Sequence, residues 1–437
     1  MKNVLLVMLT VTLFFASCKK DDVGPSILTV NVQLNYPSGS SFTAKEGVTV
    51  KVTSSASSYE AKTDAGGKAV FTLPVGVYEA SATDSRSSNG RSYVYNGVKS
   101  GISVAANWVS SDVVSLDLVE SQRSQVIIKE VFVGGTPNDA GSGVFLYDRY
   151  IVLYNNSDAV ADLSKLCLAT IAPYNSTGSN AYIVGGQLSY ANAGWIPAGQ
   201  AFWYFQQNVT LDPGKQLVIA IANAVNNTVT YSKSINFDNS SYYATYDIAT
   251  FTHAATYVTP AASIPATQYL KAYRYGLGTA WTLSVTSPGL FLFNVANTTP
   301  VAFGADVSQN DQQGAALTSK KVPVSWVIDA VEAFQLNDND NKKRFPATVD
   351  AGYVYHANRS GYSIYRNVDK AATEAIATNA GKIVSGYNFG TTSLGGSSDP
   401  SGIDAEASIK AGARIIFKDD NNATNDFHLR SQAALRN

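Results

Sequence analysis

Three histidines, His253, His356 and His428, are the first candidates for acid–base or metal chemistry, but they are scattered and none has a second ligand at metal spacing. Neither His-Glu-x-x-His nor Cys-x-x-Cys occurs, so no zinc site is expected, and without a Gly-x-Ser-x-Gly elbow there is no serine nucleophile to activate. Cys167 sits in the apolar run Leu166-Cys167-Leu168, where a thiol reads as a small buried side chain rather than a nucleophile. Asp329 with Glu332 and Asp369 with Glu374 have the look of paired carboxylates, yet any long chain offers such pairs, and solvated surface charge is the expectation. The stretch Asn337-Asp338-Asn339-Asp340-Asn341 is dense in hard oxygen donors. Counted from Asp338, a calcium loop would need an oxygen at Lys342, glycine at Lys343 and glutamate at Val349, so a turn is expected instead. Gly134-Gly135 lacks the lysine and hydroxyl that hold phosphate and magnesium. The sequence therefore predicts no catalytic residue, no metal ligand and no cofactor.

What remains is aromatic. Trp195, Trp203 and Tyr204 flank Ile196-Pro197-Ala198-Gly199 and read as sandwich core. Tyr242, Tyr243 and Tyr246 follow Asn239-Ser240-Ser241, which marks a loop; their rings either fill a core or stand out to stack on a ligand or a partner, and they are the candidate binding residues. Nothing in the sequence identifies the ligand.

The elements that must position these side chains read as strands. The 437 residues are 45% hydrophobic and 15% charged, with 25 Tyr and 18 Phe, a composition for two or three folded units. A formal net charge of −1 gives no reason to expect a nucleic-acid partner. Residues 27–119 show period-two alternation, as in Leu28-Thr29-Val30-Asn31-Val32-Gln33-Leu34, and Asp64-Ala65-Gly66-Gly67 supplies turn residues able to take positive φ. The polar stretch Glu120-Ser121-Gln122-Arg123-Ser124 is read as a linker. A larger unit, 125–437, opens with Val126-Ile127-Ile128-Lys129-Glu130-Val131-Phe132-Val133, and a Pro213-Gly214 turn precedes another apolar strand. From residue 240 onward the pattern is less regular. A single strand is expected through Val322-Pro323-Val324-Ser325-Trp326-Val327-Ile328-Asp329-Ala330-Val331-Glu332, and a flexible loop at Gly395-Gly396-Ser397-Ser398-Asp399-Pro400-Ser401.

At the amino terminus, Lys2 precedes an apolar run over residues 4–16 too short for a mature transmembrane helix, which reads as a signal peptide spanning 1–17. It ends Phe15-Ala16-Ser17-Cys18, which resembles the lipobox of bacterial lipoproteins, with Phe15 where leucine is usual. The resemblance implies cleavage before Cys18, acylation of that residue, and a tether over 18–26. Lys19-Lys20-Asp21-Asp22 is similar to the export signal that sends Bacteroidota lipoproteins to the outer leaflet, which implies an outer-membrane protein facing the exterior.

The turn-rich segment from Thr63 to Ala80 resembles carboxypeptidase-regulatory, prealbumin-like modules, small β-sandwiches that serve as stalks. The Glu130-Val131 strand, Ile151-Val152-Leu153-Tyr154-Asn155 and the Pro213-Gly214 turn resemble a lamin-tail-like immunoglobulin sandwich, interrupted by an insertion near residues 175–193. The fold expected is all-β: a small prealbumin-like sandwich followed by a larger, mainly antiparallel β domain. With the blocks Tyr365-Arg366-Asn367-Val368-Asp369 and Asn425-Asp426-Phe427-His428-Leu429-Arg430, the whole looks like an uncharacterised Bacteroidota lipoprotein family often encoded beside TonB-dependent transporters. That resemblance implies a non-catalytic binding or accessory subunit with such a transporter as partner; a surface hydrolase is the alternative.

Overall fold

The computed structural model describes residues 26–436, apart from 41, 56, 89–90, 123, 179, 282, 314–316 and 392–396. The signal peptide, Cys18 and the export residues Lys19, Lys20, Asp21 and Asp22 lie outside the described residues.

Alternation in Ile27–Asn35 buries Val30, Val32 and Leu34 on one face and turns the residues between them outward. This strand is the centre of a three-stranded sheet, antiparallel to Lys68–Pro74 and parallel to Val113–Asp117. A second sheet has the order Ser58–Lys62, Thr49–Thr53, Gly76–Ser88, Arg91–Val104, Val119–Gln122. Phe71, Leu73 and Leu116 from the first sheet meet Val50, Val52, Ala80 and Tyr95 from the second in one apolar core. The turn before Lys68–Pro74 is held by Asp64, whose Oδ1 accepts from the amides of Gly66 and Lys68, both at 2.9 Å, while Gly67 takes φ +80°.

The larger unit is built on one 14-stranded sheet. Its path begins Val354–His356, Val327–Gln335, Gly289–Asn294, Leu166–Ile171, Trp195–Tyr204, Tyr269–Arg274. It continues Tyr243–Thr245, Gln216–Ile221, Arg149–Asn155, Val126–Phe132, Ser363–Arg366, Phe427–Arg430. Leu317–Pro323 branches from Trp195–Tyr204 and carries Asn310–Gln313 on its outer edge. The sheet folds back on itself. Val327–Gln335 returns to Val126–Phe132, where Asp329 Oδ2 accepts from the Ile128 amide at 2.5 Å. The enclosed core holds Ile128, Ile151, Leu168, Trp203, Ile219, Leu292 and Val331. Outer faces are covered as well: by Tyr182, Tyr190, Phe303 and Phe345 on one side, and elsewhere by Phe237 and Ile264 or by Ile403, Ile415 and Phe417. Strands covered on both faces need no alternation, which is why Val126–Phe132 and Leu166–Ile171 are buried along their whole length. The fold is an all-β sandwich, and most pairings are antiparallel.

Four sequence expectations change. The stretch read as a linker begins as a strand: Val119–Gln122 pairs with Arg91–Val104, and the Tyr95 hydroxyl donates to Glu120 at 2.7 Å. The single strand through Val322 and Glu332 is two, because Pro323 has no amide to continue the ladder and Val324–Trp326 makes a short 3-10 turn before Val327–Gln335. Asp399 is no part of a flexible loop; it is buried and accepts from the Val368 amide at 2.9 Å. Tyr243–Thr245 is a strand, parallel to both Gln216–Ile221 and Tyr269–Arg274, so Tyr242, Tyr243 and Tyr246 are not on an open loop.

Candidate functional site

The two late sequence blocks meet. Ser363–Arg366 and Phe427–Arg430 pair antiparallel, with Tyr365 opposite His428 and Arg366 opposite Phe427, and Ser363–Arg366 also pairs with Val126–Phe132. A lattice of buried polar side chains grows from these three strands. The Arg366 guanidinium, fully buried, stacks on Phe427 at 4.3 Å and donates to Asp329 Oδ2 at 2.5 Å, Asp419 Oδ1 at 3.3 Å and the carbonyls of Ile128 and Lys418. Burial disfavours its charge, but Asp329, Asp419 and Asp426 outweigh that and hold its proton more tightly than usual. One cation among three carboxylates leaves excess negative charge, so burial and the charge of Asp420 hold Asp426 well above the usual carboxylate range.

On the neighbouring positions, Lys129 Nζ pairs with Glu406 at 2.5 Å and donates to Gln216 Oε1 at 2.6 Å. Burial raises Glu130, with Arg430 opposing. His428 bridges two groups: Nδ1 lies 2.7 Å from Asn367 Oδ1 and Nε2 lies 2.5 Å from the Tyr387 hydroxyl. Asn367 Nδ2 donates to the Asn425 carbonyl, which leaves its Oδ1 to accept, so the imidazole carries its proton on Nδ1 and accepts at Nε2. Burial, helped by Arg430, pushes its pKa down to about 3. A neutral ring bonded on both sides is a brace and has no lone pair left for substrate.

The other sequence candidates take separate places. His356 is buried on Val354–His356 with neither ring nitrogen hydrogen-bonded, and burial pushes its pKa down to about 4. His253 is exposed and faces only Thr256, at 2.8 Å. The Cys167 thiol is buried and pushed well up by desolvation. Asp329 and Glu332 are not solvated surface charge: each is buried and held by its own arginine, Glu332 by Arg344 Nε at 2.7 Å with Lys343 Nζ on the other oxygen at 2.7 Å. Burial raises Glu332, but Lys343 and Arg344 together bring it below its ordinary value. Asp369 caps the helix Lys370–Glu374, accepting from the Ala372 amide at 3.0 Å, while Glu374 is exposed. Asn341 closes its turn by donating to the carbonyls of Gln335 and Asp338. Among the described residues no group of three His, Cys, Asp or Glu is arranged to hold a metal ion.

Trp203 fills the core, fully buried. Tyr243 packs edge-on to Phe205 at 5.4 Å and Tyr246 edge-on to Tyr269 at 5.3 Å, so both rings are half-committed to the interior. Sequence reasoning passed over Lys129, Glu130 and Arg366 as site material. The signal was present, since a charge inside a strand buried on both faces must find a partner.

The surface concavity closest to a binding site is a cleft of 590 Å³ where Glu120 and Ser124 meet Asn294, Val324, Ser325, Trp326, Ile328, Thr348 and Asn421. A groove of 700 Å³ runs beside the insertion, between Ile183, Leu188 and Asn192 and the segment Lys342 to Thr348.

Residues 212–384 match DUF4876, a family of proteins of unknown function. Among solved structures, the chain is similar to a DUF4876 family protein from Bacteroides thetaiotaomicron, at 19% identity and a TM-score of 0.52, covering 92% of this chain and 94% of that one. At that identity the likeness is one of fold. A major pilin subunit of Bacillus cereus aligns with 76% of this chain and 99% of its own at 9% identity, with a TM-score of 0.17. No curated protein matches the sequence. The family match and the Bacteroides structure agree with the resemblance to an uncharacterised Bacteroidota family.

Proposed function

We propose that this chain is a surface-exposed outer-membrane lipoprotein that works without turnover, as a binding or accessory subunit of a TonB-dependent uptake complex. The observation that carries the non-catalytic part is the separation of chemistry from access. His356, His428, Cys167, Asp329 and Glu332 are buried in the fold, whereas the open cleft at Trp326 is lined by amides, hydroxyls and apolar side chains, with Glu120 its one charged group among the described residues. Acid–base or nucleophilic catalysis needs a tuned group within reach of the substrate. The membrane part rests on Cys18 and the residues after it, and the transporter part on the family resemblance. Affinity purification from native membranes followed by mass spectrometry tests the assembly, with co-purification of an outer-membrane transporter expected. Recovery of the chain alone overturns the accessory reading. A turnover activity abolished by one Asp, Glu or His substitution, with complex formation intact, replaces it with the hydrolase.

A further inference from the structure

Trp326 is set as a platform. Its ring packs edge-to-face on Phe303, with centroids 5.1 Å apart, and remains partly exposed along the 590 Å³ cleft. That volume lies within the roughly 300–1,000 Å³ typical of small-molecule sites. Around the indole stand Asn294, Ser325 and Thr348, and among the described residues their side chains hydrogen-bond to no protein group. They offer an amide and two hydroxyls to whatever enters. Among the described residues no Lys or Arg lines the cleft, and the Glu120 carboxylate repels an anion. A purely apolar ligand would strip water from those polar groups without replacing it. The ligand that fits both halves of the wall is uncharged, carries a flat apolar face for the indole and presents hydroxyls at its rim. A sugar ring has that form: its axial C–H groups stack on an aromatic face while its hydroxyls reach amides, hydroxyls and a carboxylate acceptor.

The cleft is also elongated. A smaller hollow of 170 Å³ shares Ser124, Asn294 and Ile328 with it and continues to Asp162. We infer that this groove binds a neutral oligosaccharide, with Trp326 as the stacking platform and Asn294 at the junction of two subsites. The inference rests on the reading of this chain as a binding subunit and names the class of ligand it binds.

The test is calorimetric titration of the detergent-solubilised, full-length lipoprotein with cellohexaose, maltohexaose, xylohexaose and mannohexaose, and with an oligogalacturonate and a tryptic peptide mixture as competitors for the same site. Saturable binding of at least one neutral hexasaccharide is expected, weakened at least about tenfold by Trp326→Ala and several-fold by Asn294→Ala, and retained by Trp326→Phe, which keeps a stacking face. Unchanged melting temperatures separate loss of binding from loss of fold. No binding of any neutral hexasaccharide at millimolar concentration, binding indifferent to Trp326→Ala, or preference for the oligogalacturonate or the peptides overturns the inference. If Trp326→Ala still co-purifies with a transporter while no sugar binds, only the ligand assignment falls. A hexasaccharide recovered cleaved would leave the groove standing and remove the non-catalytic reading.

Discussion

His356 and His428 are both buried imidazoles held neutral, but His428 has two hydrogen-bond partners and His356 has none. The His356 pKa, near 6.5 in an unfolded chain, falls to about 4 in the fold. Protonation therefore favours unfolding, and the contribution of the neutral ring is complete above about pH 6.5 and is lost as the pH falls toward 4. Linkage over that interval amounts to about 3 kcal/mol. Asp148 works in the opposite sense. Burial raises it to about 6, against hydroxyl donors Thr136 and Ser234, so its protonated form stabilises the fold at low pH and that contribution is lost as the pH rises through 6. Comparing His356→Leu with the parent chain cancels Asp148 and every other shared group. Urea unfolding at pH 7, 5.5 and 4.5 should show the variant at least as stable at pH 7 and progressively more so, relative to the parent, below pH 6.5; parallel curves would rule out the buried-imidazole account. The Glu332–Arg344 pair gives a second expectation. Glu332→Ala strands the Arg344 guanidinium, which is fully buried, and should cost about 3–5 kcal/mol in unfolding free energy, whereas Glu332→Met with Arg344→Met should recover most of it. Equal losses in the single and double variants would refute that coupling.

Elements long enough to show a period were legible. The alternating Ile27–Asn35, the Asp64 turn and the Asp212-Pro213-Gly214 turn, with Gly214 at φ +69° and the Lys215 amide on the Asp212 carbonyl at 3.0 Å, all stand where the residues implied. Tyr243–Thr245 was not legible, because three residues show no period and its two parallel partners lie more than twenty residues away on either side. The buried polar lattice was hidden for a related reason: Asp329, Arg366 and Asp419 are distant in sequence and meet only when the sheet folds back. The tyrosine segment thus becomes the seam between the two halves of the sheet. Thr245 is its most constrained member, since its Oγ1 accepts from the amide of Ala222 at 2.9 Å and Ala222 is held at φ +66°. Thr245→Val keeps the shape and removes the acceptor, leaving a buried amide unpaired, and should lower stability by about 1–3 kcal/mol. Thermal denaturation followed by circular dichroism checks it, and an unchanged transition would mean that the seam does not depend on this bond.

At the scale of the whole molecule, the described residues contain no helix long and apolar enough to cross a membrane. The membrane attachment proposed above rests on the lipoprotein resemblance at Cys18. Each buried methylene of an acyl chain contributes about 0.8 kcal/mol; one chain holds only marginally, whereas the diacylglycerol on the thiol and further acyl chain on the amine that the lipoprotein resemblance implies would hold essentially permanently. The short segment from Cys18 to the first strand at Ile27 would hold the small sandwich near the bilayer. Two variants separate anchoring from address. Cys18→Ala should leave the chain unacylated and release it from washed outer membranes, and its persistence there would mean that another surface of the protein holds the membrane. Lys20, Asp21 and Asp22 replaced together by Ala should leave acylation and membrane fractionation intact while cutting accessibility to added protease or antibody on whole cells. If accessibility stays unchanged, those residues carry no address. The cleft would then owe its orientation to the protein partner rather than to the anchor, because a lipid tether alone fixes distance from a membrane but not the side on which the protein stands.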